Sequence, residues 1–91
     1  NEELVRHFIS SVGIYPVDTL VRLESGLLGI VVEQNGADLL RPRVRVAYDT
    51  LKNWELAPYD LDLATSADRI VSHEPPERWK IDTRRYLESA V

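Results

Sequence analysis

Arg41, Arg43 and Arg45 alternate with Pro42, Val44 and Val46. Side chains two apart in an extended strand share a face, so the three guanidiniums form a row able to grip phosphate oxygens bidentately. Tyr48 and Trp54 follow closely, and aromatic rings beside such a row offer a stacking surface. Arg41, Arg43, Arg45 and Tyr48 are therefore the candidate phosphate- or dinucleotide-binding residues. The same row has a plainer and more frequent use, as a wet sheet face paired with Glu33 and other acids across strands.

Asp60 and Asp62 also fall two apart, and paired carboxylates can hold Mg²⁺ or act as acid and base. No glycine-rich phosphate loop and no nearby histidine accompanies them, so a solvated polar face is the expectation. The two histidines, His7 and His73, lack a metal-ligand spacing such as His-x-x-x-His. The serines lack a nucleophile-elbow context such as Gly-x-Ser-x-Gly. With no cysteine, thiolate metal sites and cysteine catalysis are excluded. The expectation is no catalytic residue, no metal site and no cofactor within this chain.

Composition narrows the setting. Ninety-one residues make one domain, and 44% hydrophobic content is ordinary for a globular one. Fifteen acidic against 11 basic residues give a net charge of −4, the wrong balance for a binder of nucleic-acid polymers. No stretch reaches the roughly 18 apolar residues of a membrane span, and Asn1-Glu2-Glu3 is unlike the basic start of a secretory signal. Together with the absence of cysteine, this points to the cytoplasm.

The elements that must carry these residues are mostly short. Leu4, Val5, Phe8, Ile9 and Val12 recur at helical spacing, behind two acids in the first turn. Gly13 and Pro16 end that helix. Thr19–Leu23 and Leu28–Glu33 read as strands separated by Ser25-Gly26. Asn35-Gly36 marks a turn, and Arg41–Tyr48 is the cleanest strand, with Pro42 expected at its start or on an edge. Trp54–Leu56 reads as a short strand, Pro58-Tyr59-Asp60 as a turn, and Arg69–Ser72 as a last strand. Pro75-Pro76 opens a helical turn, and Asp82 caps a helix from Thr83 to Ser89. The predicted fold is mainly β (α+β): a small curled sheet or SH3-like barrel of four to five short strands, with an N-terminal helix and a short C-terminal helix. The predicted divisions are an N-terminal helix (1–13), a small β domain (17–74) and a helical tail (75–91).

The run Phe8-Ile9, Gly13-Ile14-Tyr15-Pro16-Val17, Leu20-Val21-Arg22-Leu23, Gly26 and Gly29-Ile30-Val31-Val32 resembles the segment that follows the catalytic core in many bacterial HD-GYP proteins. The likeness continues through Asn35, Arg41-Pro42-Arg43-Val44-Arg45-Val46, Asp68-Arg69-Ile70-Val71 and Pro76 to Trp79, so it covers the chain to about Ile81. HD-GYP proteins are metal-dependent phosphodiesterases that hydrolyse cyclic di-GMP with a His-Asp dyad, further histidines and a Gly-Tyr-Pro signature. This chain has no His-Asp dipeptide, and Ile14 interrupts its Gly13-Ile14-Tyr15-Pro16 run. No catalytic or metal residue is carried over. Asp18 stands where the resembled segments often have glycine.

The resemblance implies a non-catalytic C-terminal module of a cyclic-di-GMP phosphodiesterase. Its partner would be the catalytic domain of the same chain, with a second copy and a cyclic dinucleotide as further candidates. Leu4, Phe8 and Ile9 are then the candidate packing or dimer face, because the first helix would connect to that catalytic domain.

Overall fold

The computed structural model describes residues 14–88. The predicted N-terminal helix, with Leu4, Phe8 and Ile9, lies outside the described residues.

Five strands form one antiparallel sheet: β1 (Leu20–Leu23), β2 (Leu27–Glu33), β3 (Arg43–Asp49), β4 (Trp54–Asp62) and β5 (Ile70–His73). Two short helices follow, α1 (Pro76–Trp79) and α2 (Thr83–Glu88). The strand order is β4-β3-β2-β1-β5. The first four strands are thus a meander, and β5 returns to pair with β1. The fold is mainly β, as the succession of short, closely spaced strands predicts.

Both faces of the sheet are covered, which explains why β1, β2 and β3 carry apolar residues in both phases. On one face Val21, Leu23, Val31, Val44, Val46 and Leu63 are fully buried. The outer strands complete that cluster, with Leu56 and Leu61 from β4 and Ile70 from β5. On the other face Leu20, Leu28, Ile30 and Ala47 are covered by Tyr48 and by Trp79, Ile81, Tyr86 and Leu87 of the C-terminal segment. The helices are therefore the second layer that a single sheet requires to bury its outer face.

Local chemistry sets the turns. Gly26 ends the β1–β2 turn with φ +92°, a left-handed conformation that glycine adopts without a Cβ clash. Its carbonyl accepts from the Thr50 amide at 2.9 Å and from the Thr50 hydroxyl, which ties two turns together. In the β3–β4 turn, Asp49 Oδ1 accepts from the amides of Leu51 (2.9 Å) and Lys52 (3.2 Å), and Asn53 takes the left-handed position at φ 63°. Asp18 has φ 83°, a left-handed conformation that favours glycine over other residues. Asp82 Oδ1 accepts from the Arg84 amide at 3.2 Å, as an N-cap should.

Gly29 sits where the β2–β3 register shifts. A Cβ there would lie 3.2 Å from both Cβ and Cγ2 of Val44, and 3.4 Å from the Arg45 carbonyl. Val44 is fully buried and has little room to give. Gly29→Ala is expected to lower stability by about 1–2 kcal/mol, read as a lower urea midpoint at unchanged slope. A midpoint equal to the parent's would show that the strands separate freely.

The structure departs from the sequence-based expectation at two places. The segment expected to be a short strand followed by a turn is one nine-residue strand, β4. Pro58 lies inside it rather than in a turn. It is tolerated because β4 is an edge strand and because the β3–β4 register shifts between Val46 and Tyr48, where Val46 faces Tyr59 and Tyr48 faces Glu55. The third strand begins at Arg43, not Arg41. Pro42 precedes it, fully buried, and its carbonyl accepts from the Leu63 amide at 3.2 Å.

Candidate functional site

The arginine row and the acidic pair, separate features in the sequence, are one ladder in the fold. Across β3 and β4, Arg43 faces Asp62 and Arg45 faces Asp60. On the other side Arg43 faces Glu33 in β2, with Nη2 3.2 Å from Glu33 Oε1. Arg45 donates from Nε and Nη2 to the two oxygens of Asp60, at 2.7 and 3.2 Å. It also donates from Nη1 to the carbonyl of Tyr86, so one guanidinium ties β3 to both β4 and α2. Only 12% of its side chain remains exposed.

This geometry holds the Asp60 carboxyl below the usual carboxylate range. The hydrogen bond from Arg45 is the main cause, burial opposes it, and the charges of Arg45 and Arg43 add to it. Arg45 is held protonated by the same bond.

Arg41 stands apart from the ladder. It lies outside β3, its Nε 3.4 Å from Asp38 Oδ2 and its Nη1 donating to the Leu63 carbonyl at 3.4 Å. The predicted three-arginine face is thus a pair, Arg43 and Arg45, because Pro42 and its bond to Leu63 end the strand. Tyr48 and Trp54 do not form one stacking surface either. Tyr48 packs on the helix-covered face, its ring centroid 5.7 Å from that of Trp79. Trp54 pairs with Asp49, the next residue along β3, and adjacent strand residues point to opposite faces.

A recess beside Arg43 is lined by Glu33, Gln34, Asn35, Gly36 and Asp62. Ladder and recess together set two guanidiniums, Arg43 and Arg45, against three carboxylates, Glu33, Asp60 and Asp62. Arg45 is largely covered by Asp60 and Tyr86, while Arg43 keeps 44% of its side chain exposed. Among the described residues, no group of three or more His, Asp or Glu is arranged to hold a metal ion, and no helix is long and apolar enough to cross a membrane.

A second constellation has no counterpart in the sequence-based expectations. Glu74 accepts from Trp79 Nε1 at 3.1 Å and from Ser72 Oγ at 2.9 Å, and lies 3.9 Å from Arg22 Nε. The guanidiniums of Arg22 and Arg78 lie over the Trp79 ring, 5.5 and 5.4 Å from its centroid. Burial pushes the Glu74 carboxyl up, but the bonds from Trp79 and Ser72 and the charges of Arg22 and Arg78 outweigh it and hold it low. Arg22 Nε is buried without a hydrogen-bond partner, and the guanidinium is seated by the ring contact and the ion pair with Glu74. The arrangement latches the C-terminal segment to β1 and β5. The only linear signal is Trp79 five residues after Glu74, across the rigid Pro75-Pro76 pair.

The site therefore defines a compact β module whose strongest polar contacts join its own elements. Over 79 residues, 85% of its length, the chain is 48% identical to Cyclic di-GMP phosphodiesterase PA4108 of Pseudomonas aeruginosa. It spans only 19% of that protein's length. No protein-family model matches the chain, and no solved structure does.

Proposed function

We propose that the chain is a non-catalytic C-terminal module of a cyclic-di-GMP phosphodiesterase of the HD-GYP type. Its role is structural, in packing against the catalytic domain, orienting it or dimerising it. The observation that carries this is 48% identity to a segment making up 19% of a protein named as a cyclic-di-GMP phosphodiesterase. The ladder supports it, because its arginines are engaged with the module's own acids. In this reading the parent is a metal-dependent cytoplasmic hydrolase whose metal ligands lie in the other four-fifths of the protein. The catalytic domain of the same chain is the first partner.

The test is deletion of the matching segment from the Pseudomonas phosphodiesterase. A lower melting temperature together with altered subunit state or turnover is expected. Unchanged stability, subunit state and turnover would refute the structural role.

The rival reading is a phosphate- or dinucleotide-binding face built on Arg41, Arg43, Arg45 and Tyr48. It predicts a saturable heat when cyclic di-GMP is titrated into the chain. The expected result, with or without Mn²⁺, is no binding tighter than about 10 μM, roughly −7 kcal/mol. Saturable binding that Arg43→Ala abolishes would replace the structural reading with the binding one.

A further inference from the structure

The loop between β2 and β3 contains Asn35-Gly36, and both residues line the recess beside Arg43, with Glu33, Gln34 and Asp62. Asn35 is half-buried and Gly36 is exposed. The Ala37 amide donates to Asn35 Oδ1 at 3.0 Å, and the Asp38 amide donates to the Asn35 carbonyl at 3.1 Å. Among the described residues, the Gly36 amide donates to no acceptor. A Cβ at Gly36 would meet no atom within 4 Å, so its surroundings are open.

These features suit attack by a backbone amide on the side chain before it. The nucleophile, the Gly36 nitrogen, has no hydrogen bond to give up and no side chain beside it. The electrophile, Asn35 Cγ, carries an oxygen that already accepts from a backbone N–H. Such a donor stabilises the negative charge that develops on a carbonyl oxygen under attack. Both groups belong to adjacent residues, so the step is intramolecular and needs no encounter.

We propose that Asn35 is a site of spontaneous deamidation in the folded module. The Gly36 amide loses its proton to solvent base, and its nitrogen bonds to Asn35 Cγ. The Cγ–Nδ2 bond breaks, and Nδ2 takes up a proton and leaves as ammonia. Water then opens the cyclic imide at either carbonyl, giving aspartate or isoaspartate at position 35. No bond is oxidised or reduced. Either product adds a carboxylate to a recess that already sets Glu33 and Asp62 against Arg43. Isoaspartate also reroutes the backbone through the side-chain carbon, so the acceptor of the Asp38 amide becomes a free carboxylate. The module thus gains negative charge with age at one place, beside the ladder. The inference goes beyond the phosphodiesterase reading and does not rest on it, since the reaction needs only this chain and water.

The test is incubation of the chain at mildly alkaline pH, folded in buffer and unfolded in urea, with peptide mapping by mass spectrometry at intervals. Asn53 is the internal control. It is also exposed, but the bulky Trp54 follows it and its Oδ1 accepts from the Tyr48 hydroxyl at 2.9 Å. In the folded chain Asn35 is expected to convert at least about tenfold faster than Asn53, and within about tenfold of its own rate in urea. The rate should rise with pH, because the attacking nitrogen must be deprotonated. Gly36→Ala places a methyl group beside the nucleophile without backbone strain, as Gly36 is not among the residues with positive φ. It should slow conversion at least about tenfold, with its melting temperature checking the fold. An Asn35 amide as long-lived as that of Asn53 would overturn the proposal. So would conversion in urea with none in the folded chain, which would show that the loop protects Asn35. Equal rates in Gly36→Ala and the parent would overturn the Gly36 amide as nucleophile.

Discussion

Trp79→Ala is expected to lower the unfolding free energy by about 3 kcal/mol and to release the C-terminal segment from the sheet. Trp79 packs with Ile81, Tyr86 and Leu87 over Leu20, Leu28, Ile30 and Ala47. Truncating a large aromatic in such a place costs roughly 3–5 kcal/mol when fully buried, and Trp79 is only partly buried, so the low end applies. The variant also removes a donor from Glu74, whose side chain is 11% exposed, and a carboxylate left short of partners adds to the cost. Amides from Ile81 to Leu87 should exchange about 100-fold faster, the equivalent of ~3 kcal/mol. Trp79→Phe keeps most of the packing but loses the bond to Glu74, and about 1 kcal/mol is expected there. A loss under about 1 kcal/mol for Trp79→Ala, with tail amides still protected, would show that α1 and α2 are held by other contacts.

Arg45→Ala is expected to cost about 2 kcal/mol. The substitution removes two hydrogen bonds to Asp60 and one to the Tyr86 carbonyl, and bonds to charged groups are worth roughly 1.5–3 kcal/mol. Asp60 keeps 31% of its exposure, so water recovers part of its solvation and the middle of the range is appropriate. The same variant should change the acid response. Asp60 and Glu74 are both held below the usual carboxylate range in the folded state. Below an unfolded carboxyl pKa of about 4, the unfolded chain takes up protons before the folded one does. Their contribution is therefore complete above that value and is lost as the pH falls through the lower, folded pKa values. Urea midpoints measured from pH 6 down to pH 3 should fall in the parent and fall less steeply in Arg45→Ala. Equal slopes would mean that Asp60 titrates alike in both chains.

Both predictions concern the same joint. Arg45 and the Glu74–Trp79 pair are the polar attachments of the C-terminal segment to the sheet, and neither is visible as such in the sequence. There, Arg45 looks like one third of an exposed arginine face. Its bonding depends on Asp60, 15 residues away, and on the Tyr86 carbonyl, 41 residues away. No local pattern encodes that convergence.

The features legible in the string are local. Alternation of apolar and polar residues marks β1 and β3, and a short run rich in Ile and Val marks β2, since both signals are written in consecutive side chains. Turn chemistry at Ser25-Gly26 and Asn35-Gly36, and the Asp82 cap, depends on residues within a few positions, and these are legible too. The lack of a His-Asp dyad or a spaced ligand set is likewise a property of the string. Tertiary structure alone decided the rest. Pro58 looks like a turn residue until β4 proves to be an edge, where a missing amide costs no ladder bond. Glu33 is a foreseeable partner for the arginine row, but only the β2–β3–β4 register assigns it to Arg43 and sets Asp60 and Asp62 opposite Arg45 and Arg43. Register is fixed by how bulges and buried side chains fit across strands, and that fit exists only once the strands have met.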